Sequence, residues 1–169
     1  YKNKCGEDSP FGMHPSIRSR EGCIECTKWA MNLAIANNTQ LHILHISTAD
    51  EIELIKEAQK INNKISGEVC VHYMWFNDSD YSKYGSKVKC NPAIKRESDM
   101  LAIRKAVKEG IIKVVATDHA PHLKEEKENK YLQAPSGLPL VQHSLQLMLE
   151  LSNQTILTVE EVCARMSHG

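Results

Sequence analysis

The chain has 169 residues, and its 21 basic and 21 acidic side chains give a formal net charge of zero at pH 7. This length predicts one domain with a buried core, and the balanced charge, without a basic face carrying interleaved aromatic residues, argues against a nucleic-acid partner. No apolar run approaches the roughly 20 residues that cross a bilayer, and the amino end has no signal-peptide core, so a cytoplasmic protein without a membrane partner is expected.

The first predicted elements alternate between helix and strand. Apolar residues at helical spacing predict a helix from Ser19 to about Asn37. The alternating stretch "QLHILHIS", residues 40–47, predicts a strand. Thr48 followed by Glu51 has the capping-box spacing that starts a helix, here over 49–62.

The middle of the chain predicts a second strand and a long irregular segment. "ISGEVCVHYM", residues 65–74, is a candidate strand. Residues 77–95 are rich in Asn, Asp, Ser, Gly and Lys, which indicates a long loop or short helical turns. A helix over about 97–109 is expected to stop at Gly110 and to lead into a buried strand, "VVAT", at 114–117.

The remaining segments complete an α/β pattern. A polar stretch at 123–136 precedes "GLPLVQHSLQLMLELS", residues 137–152, which predicts a helix, and Thr158 with Glu161 begins another. Strands that alternate with helices are typical of a parallel sheet. The pattern leaves open whether the strands form a small open sheet or part of a larger barrel.

The cysteines predict reduced thiols rather than a disulfide framework. Six are scattered through a chain that is too large to need disulfide staples. Cys23 and Cys26 form a C-x-x-C, but no second pair completes four metal ligands, so a structural role is expected for both.

Two polar residues end predicted strands. His45 lies at the end of "LHILH" and Asp118 at the end of "VVATD", and ligands collect beyond the carboxyl ends of parallel strands. An imidazole and a carboxylate suit a zinc-type ion, and a carboxylate at the same water can act as acid and base. We expect the two groups to emerge from neighbouring strands.

Structural explanations compete with this hypothesis. His45 could be a hydrogen-bonded core histidine, and Asp118 could cap a turn before Pro121. The closeness of Asp118 to two further histidines, at 119 and 122, strengthens the functional interpretation. Packing is expected to explain the histidines that lie within elements, which are His42, His72 and His143.

Several ordered blocks resemble the dihydroorotases of the amidohydrolase superfamily. These blocks are "HPSIRS", "LHILHIST", "GEVCVHYMWFNDSDY", "KCNPAIK", "ATDHAPH", "EEK" and "APSGLPLVQHSL". The resemblance implies a (β/α)₈ TIM-type barrel with a binuclear zinc centre. It also implies interconversion of L-dihydroorotate and N-carbamoyl-L-aspartate in pyrimidine biosynthesis.

The resemblance also implies roles for single residues. His45 resembles a histidine metal ligand, and Asp118 resembles the aspartate that binds metal and acts as acid and base. His122 resembles a contact of the substrate carboxylate. The backbone from Ala134 to Gly137 resembles a wall of the substrate pocket, which Asn91 also borders.

Other family ligands have no counterpart in the chain. No H-x-H pair occurs. The chain is therefore expected to be roughly the second half of a barrel, about its last four strand-helix units, with residues 1–169 forming a single partial domain. Little or no activity is expected from these residues alone, and exposed barrel edges leave a homo-oligomer open.

Two alternatives stay open. The first is another cyclic amidohydrolase of the dihydropyrimidinase, hydantoinase or allantoinase type. The second is a non-catalytic homologue that acts as a structural partner, for instance of a carbamoyltransferase. His122 and the "APSGLPL" segment favour dihydroorotate as the substrate, and the presence of both His45 and Asp118 argues against loss of catalysis.

Overall fold

The computed structural model describes residues 9–168, so Cys5 lies outside the described residues. Its strands are β1 (Leu41–Ile43), β2 (Ile65–Cys70) and β3 (Val114–Ala116). They form one sheet in the order β1-β2-β3, and both pairings are parallel. The α/β class with a parallel sheet is confirmed, and the three strands are those that the sequence predicts.

Helices follow each strand and cover the sheet. Within residues 9–168 the α-helices are α1 (His14–Ile17), α2 (Arg20–Ala36), α3 (Ala49–Ile61), α4 (Val71–Trp75), α5 (Tyr81–Tyr84), α6 (Glu97–Lys108), α7 (Lys124–Lys127), α8 (Ser144–Asn153) and α9 (Val159–Cys163). Short 3₁₀ turns lie at Phe11–Met13, Asp78–Asp80 and Gly85–Val88, and a π-helical turn at Ala164–His168 ends the described chain.

Capping residues set several helix boundaries as the sequence predicts. The Ser19 and Thr48 side chains accept hydrogen bonds from the backbone N–H groups of Gly22 and Glu51 and so begin α2 and α3. Thr158 forms a complete capping box at the start of α9. Gly110, with a φ of +75°, ends the segment after α6.

Three predicted elements are shorter than expected. The first strand, expected over 40–47, covers only Leu41–Ile43. The second strand ends at Cys70, because the chain turns into the short helix α4, whose first four residues are all buried. The helix expected over 137–152 begins only at Ser144, because residues 138–141 contact the segment after β3 instead. Its amino-terminal part is therefore irregular.

Gly67 lets α3 approach the sheet closely. A Cβ atom at position 67 would lie 2.5 Å from Cδ1 of Ile46 and 3.0 Å from Cδ1 of Ile55, both of which are fully buried. A side chain at this point of β2 would therefore displace the ends of both isoleucine side chains. The core forms around this contact between sheet and helices.

A buried ion pair connects three helices. Asp99 in α6 accepts hydrogen bonds from Arg20 of α2, with its Oδ1 2.8 Å from a terminal guanidinium nitrogen. The same carboxylate accepts the backbone N–H of Ala49 at 2.8 Å and so satisfies a free donor at the start of α3. The same terminal nitrogen of Arg20 also pairs with the exposed carboxylate of Asp50. These contacts fix α2, α3 and α6 relative to one another.

Candidate metal and substrate site

The two candidate metal ligands lie beyond the carboxyl ends of β1 and β3. His45 follows the last residue of β1 by two positions, and Asp118 follows β3 by the same distance. The expectation that they come from neighbouring strands is wrong, because β2 lies between β1 and β3. Strand spacing separates β1 from β3 by about 10 Å, a gap that two side chains directed toward each other can close around an ion.

Both residues have left-handed backbone conformations. The φ angle is 40° at His45 and 44° at Asp118. Asn38 and Thr155 also have positive φ, but each lies two residues after the end of a long helix, where this conformation is usual. His45 and Asp118 have no such local reason. A side chain in this conformation costs about 1–2 kcal/mol, and such strain is concentrated at functional sites.

His45 opens onto a cavity of about 640 Å³. The cavity wall includes Asn91, which was expected to border the substrate pocket, and also His42 and Arg18. Asp118 is not part of this wall. Its carboxylate lies instead near Cys70, the last residue of β2, and burial together with the charge of Asp118 raises the pKa of that thiol.

A buried carboxylate holds the turn that follows His45. One oxygen of Glu51 accepts a hydrogen bond from the Thr27 hydroxyl at 2.7 Å. The other accepts the Ser47 backbone N–H at 3.2 Å and the Thr48 hydroxyl at 2.9 Å. Helices α2 and α3 thereby fix the backbone directly after His45.

The histidines of "DHAPH" bind the segment that precedes α8. Nδ1 of His119 accepts the backbone N–H of Val141 at 3.1 Å, so this imidazole has a structural partner. Nε2 of His122 donates to the carbonyl of Ser136 at 3.1 Å, and its Nδ1 lies 4.0 Å from a carboxylate oxygen of Glu126. His122 therefore lies against the segment that was expected to form the pocket wall.

Backbone N–H groups in that wall are already used within the protein. Ala134 N–H donates to the Lys130 carbonyl at 2.8 Å, and Gly137 N–H donates to the Lys89 carbonyl at 2.9 Å. Gly137 has a φ of +143°, and a Cβ there would lie 2.5 Å from Cβ of Ala120. The wall is thus closely packed against the loop that carries Asp118.

Sequence reasoning missed the special position of His72. Its side chain is buried, as expected, but neither ring nitrogen has a hydrogen-bond partner, which packing alone does not explain. Burial lowers its pKa to about 3, with a further contribution from nearby His45. His42 and His143 are exposed, and they contact Ser66 and Gln146 respectively.

The donors in this part of the chain match the chemistry of a zinc-type site but do not complete one. Imidazole nitrogen and carboxylate oxygen are both zinc ligands. Among residues 9–168, no group of three or more His, Cys, Asp or Glu side chains could hold a metal ion. Catalytic zinc sites have three protein ligands, so His45 and Asp118 would need at least one more.

The described cysteines are free thiols. They are Cys23, Cys26, Cys70, Cys90 and Cys163. The Cys23 sulfur lies 3.8 Å from the Ser47 hydroxyl, and no metal cluster in residues 9–168 includes it. In the same part of the chain, no helix is both long and apolar enough to cross a membrane.

Comparison with known proteins gives relatives by sequence. No protein-family model matches the chain. A dihydroorotase of Endomicrobium trichonymphae is 37% identical over 136 residues, which cover 80% of this chain and 32% of the relative. A dihydroorotase of Syntrophobacter fumaroxidans is 35% identical over 140 residues, covering 82% and 32%. The chain thus spans about a third of the length of these relatives.

Solved structures share the fold. A D-hydantoinase superposes with a TM-score of 0.88 at 21% identity, covering 97% of this chain and 37% of that chain. A dihydroorotase of Saccharomyces cerevisiae, solved with 5-fluoroorotic acid, superposes with a TM-score of 0.68 at 18% identity over 76% of this chain and 36% of that chain. These superpositions cover a little over a third of each solved chain and confirm the expected partial TIM-type barrel. The chain is therefore a homologue of the dihydroorotases and corresponds to part of a barrel of this type.

Proposed function

We propose that the chain forms part of a metal-dependent dihydroorotase, which interconverts L-dihydroorotate and N-carbamoyl-L-aspartate in pyrimidine biosynthesis. The observation that carries the proposal is the pair of left-handed residues, His45 and Asp118, beyond the carboxyl ends of two parallel strands. Similarity to dihydroorotases over 80% of the chain supports the choice of reaction.

His45 and Asp118 are the proposed metal ligands in this chain. We propose zinc as the metal, because imidazole and carboxylate are among its usual donors. When bound, zinc would polarise the amide carbonyl and activate water. The remaining donors would come from residues other than the described ones, so residues 1–169, a single partial barrel domain in this proposal, are expected to bind zinc weakly.

Asp118 is the proposed acid and base. Its exposed carboxylate can take the proton of the attacking water and return it to the ring nitrogen as the amide bond breaks. For this assignment, the Asp118 carboxylate must lie on one side of the substrate and reach both the attacking water and the ring nitrogen. The reverse reaction uses the same residue in the opposite order.

His122 is the proposed contact for the substrate carboxylate. Its Nε2 donates to the Ser136 carbonyl, so Nδ1 would donate to an anion only in the imidazolium form, where a substrate carboxylate would replace Glu126, now 4.0 Å away. A hydrogen bond to a charged group would fix the ring for attack. Asn91 lines the cavity at His45, and Gly137 lines a second cavity with His122; in this proposal Asn91 and the backbone of Ala134 and Gly137 border one substrate pocket in the complete barrel.

The proposal also includes a cellular location and binding partners. A cytoplasmic location is supported by the five free thiols in the described residues. The proposed partner is a small-molecule substrate. In the isolated chain, a homo-oligomer would cover the edges of β1 and β3, which the rest of the barrel would cover in the complete protein.

A second candidate function is hydrolysis of an uncharged cyclic amide. The D-hydantoinase superposes more closely than the yeast dihydroorotase, with TM-scores of 0.88 and 0.68. A dihydropyrimidine without a carboxylate would then be the better substrate. Sequence relatives favour the first candidate.

Substitution of His122 separates the two functions. In a natural protein that contains this chain and a complete ligand set, His122→Asn should lower kcat/KM for dihydroorotate by about 10- to 100-fold. It should change kcat/KM for an unsubstituted dihydropyrimidine little, because no carboxylate is lost as a partner. A preference for the uncharged substrate in the unsubstituted enzyme would reject the dihydroorotase proposal.

The isolated chain provides a second test. Residues 1–169 purified with zinc should show little or no turnover of dihydroorotate, because catalytic zinc needs three protein ligands. Turnover is followed by the loss of ring absorbance, and zinc content by elemental analysis. Turnover near that of a complete enzyme would contradict the assigned ligand set.

A further inference from the structure

A buried lysine ammonium lies under the segment from 131 to 137, which we call the wall loop. Nζ of Lys127 donates to the carbonyls of Pro135 and Gly137, both at 3.0 Å, and to the carbonyl of Lys89 at 3.2 Å. The Lys127 side chain is 9% exposed although it belongs to the short surface helix α7. Its three donors are therefore all directed at backbone.

A second buried lysine contacts the other end of the wall loop. Nζ of Lys89, a residue that is 7% exposed, donates to the carbonyls of Tyr131 and Ala134, both at 2.6 Å. The same ammonium lies 4.5 Å from the centre of the Tyr131 ring. The Lys89 carbonyl also accepts the Gly137 N–H, so the two lysines form one continuous network.

Neither lysine has an acidic partner in the described part of the chain. Every ion pair of residues 9–168 involves other side chains. Two ammonium groups without carboxylates are costly to bury, and apolar side chains of similar volume would pack at lower cost. What the lysines add, and apolar residues would not, is a fixed direction for four carbonyls of the wall loop.

That direction matters at the candidate site. The wall loop contains Ala134 and Gly137, and its Ser136 carbonyl accepts the hydrogen bond of His122. With the N–H groups of Ala134 and Gly137 used internally, Ser136 keeps the one backbone N–H in 134–137 that is not already bonded within the described residues, since Pro135 has none. The shape of the loop thus decides which polar groups face a ligand.

We propose that Lys89 and Lys127 are positioning residues, which hold the wall loop so that Ser136 and His122 are presented to the substrate. This inference rests on the proposed function for its substrate, but the contacts that define it do not. Loss of either ammonium should free the carbonyls and allow the loop to adopt other conformations. His122 would then lose its fixed orientation.

Hydrogen exchange of the chain tests the positioning without any activity. In Lys127→Met, which keeps the length of the side chain but removes its donors, the amides of Ala134 and Gly137 should exchange about tenfold faster or more. The Phe76 amide, bonded to the His72 carbonyl in α4, serves as an internal reference and should not change. Lys124→Met, at an exposed lysine of the same helix, is the matched control.

Activity of a protein with the complete ligand set gives the second readout. Lys127→Met should raise KM for dihydroorotate about tenfold while kcat falls less, because the lysine orients the binding wall and does not touch the reacting atoms. Lys127→Arg, which keeps the charge and several donors, should raise KM less than Lys127→Met does. If the unsubstituted enzyme has no dihydroorotase activity, the proposed function is wrong. The hydrogen-exchange result would still show whether the lysines position the wall loop.

Chemical labelling covers the case in which the variants do not fold. When the folded, unsubstituted chain is reductively methylated, Lys89 and Lys127 should react at least about tenfold more slowly than Lys124. Equal labelling rates, or unchanged exchange of Ala134 and Gly137 in a folded Lys127→Met variant, would overturn the inference.

Discussion

Backbone strain at two residues distinguishes the candidate site from ordinary strand ends. Replacing His45 or Asp118 by glycine removes the Cβ atom that makes a positive φ unfavourable. Asn38, with a φ of 47° after α2, is a reference for the same conformation at a purely structural position. Strain at these positions can therefore be measured in the chain without metal or substrate.

We predict that His45→Gly and Asp118→Gly leave the free energy of unfolding unchanged or raise it by up to about 1 kcal/mol, because relieved strain offsets the added chain entropy. Asn38→Gly should behave in the same way. Lys113→Gly, at an exposed residue without a positive φ, should lower the free energy by about 0.5–1 kcal/mol. Urea titrations compare the four variants, and losses at 45 and 118 as large as at 113 would contradict the prediction.

Gly137 is a further residue with a positive φ, and at this position a side chain has no space. A Cβ there would lie 2.5 Å from Cβ and 2.7 Å from the carbonyl oxygen of Ala120, at a φ of +143°. We predict that Gly137→Ala lowers the free energy of unfolding by about 2 kcal/mol or more. Gly12→Ala is the control, since nothing lies within 4 Å of the added atom. Similar thermal denaturation temperatures for the two variants would disprove the contact.

Sequence alone could locate the site residues but not their surroundings. His45 and Asp118 follow strands that have local hydrophobic patterns, so their place at the carboxyl edge was predictable. The carbonyl partners of Lys127 lie up to 38 residues away, and no local pattern encodes such a contact. His72 resembles any core histidine in sequence, because the lack of a partner is a property of the packed structure.

At the scale of the elements, the buried carboxylate of Asp99 connects the helices α2, α3 and α6. It accepts bonds from Arg20 and from the Ala49 N–H, and it is 1% exposed. The same contacts raise the pKa of Arg20, because its charge is bound by Asp99 and then by Asp50. Removal of the charge at 99 would leave a half-buried guanidinium with one exposed partner.

We predict that Asp99→Asn lowers the free energy of unfolding by about 3–5 kcal/mol, as expected when one member of a buried pair is removed. Asp50→Asn removes the exposed partner of the same arginine and should cost about 1 kcal/mol or less. Chemical denaturation of both variants makes the comparison. Equal losses would show that the two carboxylates share the charge of Arg20 evenly.

Element boundaries show where local signals suffice. Hydroxyl caps at Thr48 and Thr158 begin helices by bonds within the next three residues, so they were predictable. The end of β2 was not, because "VCVHYM" continues the β-branched and aromatic character of the strand without a break. Burial of Val71 through Met74 within the fold, rather than a capping residue, selects a helix there.

At the scale of the whole molecule, His14 connects distant parts of the chain. Its ring nitrogens bond to the Tyr131 hydroxyl and to the Cys90 carbonyl, both at 2.7 Å. Burial lowers its pKa from 6.5 to about 4, with smaller lowering effects from Lys89 and Lys95. The folded protein therefore binds fewer protons than the unfolded chain between these two pH values.

We predict that stability is greatest above pH 6.5 and falls as the pH decreases toward 4, because burial lowers the pKa of both His14 and His72 and their protonation favours the unfolded chain. His14 alone would contribute a loss on the order of 2–3 kcal/mol between pH 7 and pH 4. His14→Gln should make the dependence less steep, with His72 accounting for the part that remains, and His143→Gln, at an exposed site, should leave it unchanged. Urea midpoints measured across this range decide, and identical slopes for all three proteins would remove His14 as the cause.

The absence of space at Gly67 has an evolutionary consequence. Since Cδ1 of Ile46 would lie 2.5 Å from any β-carbon at this position, a mutation there is accommodated most easily when a neighbouring isoleucine is smaller. Natural variants with alanine or serine at 67 should therefore carry valine or alanine at 46 or 55 in the same gene. Positions 46, 55 and 67 should thus change together across species more often than chance.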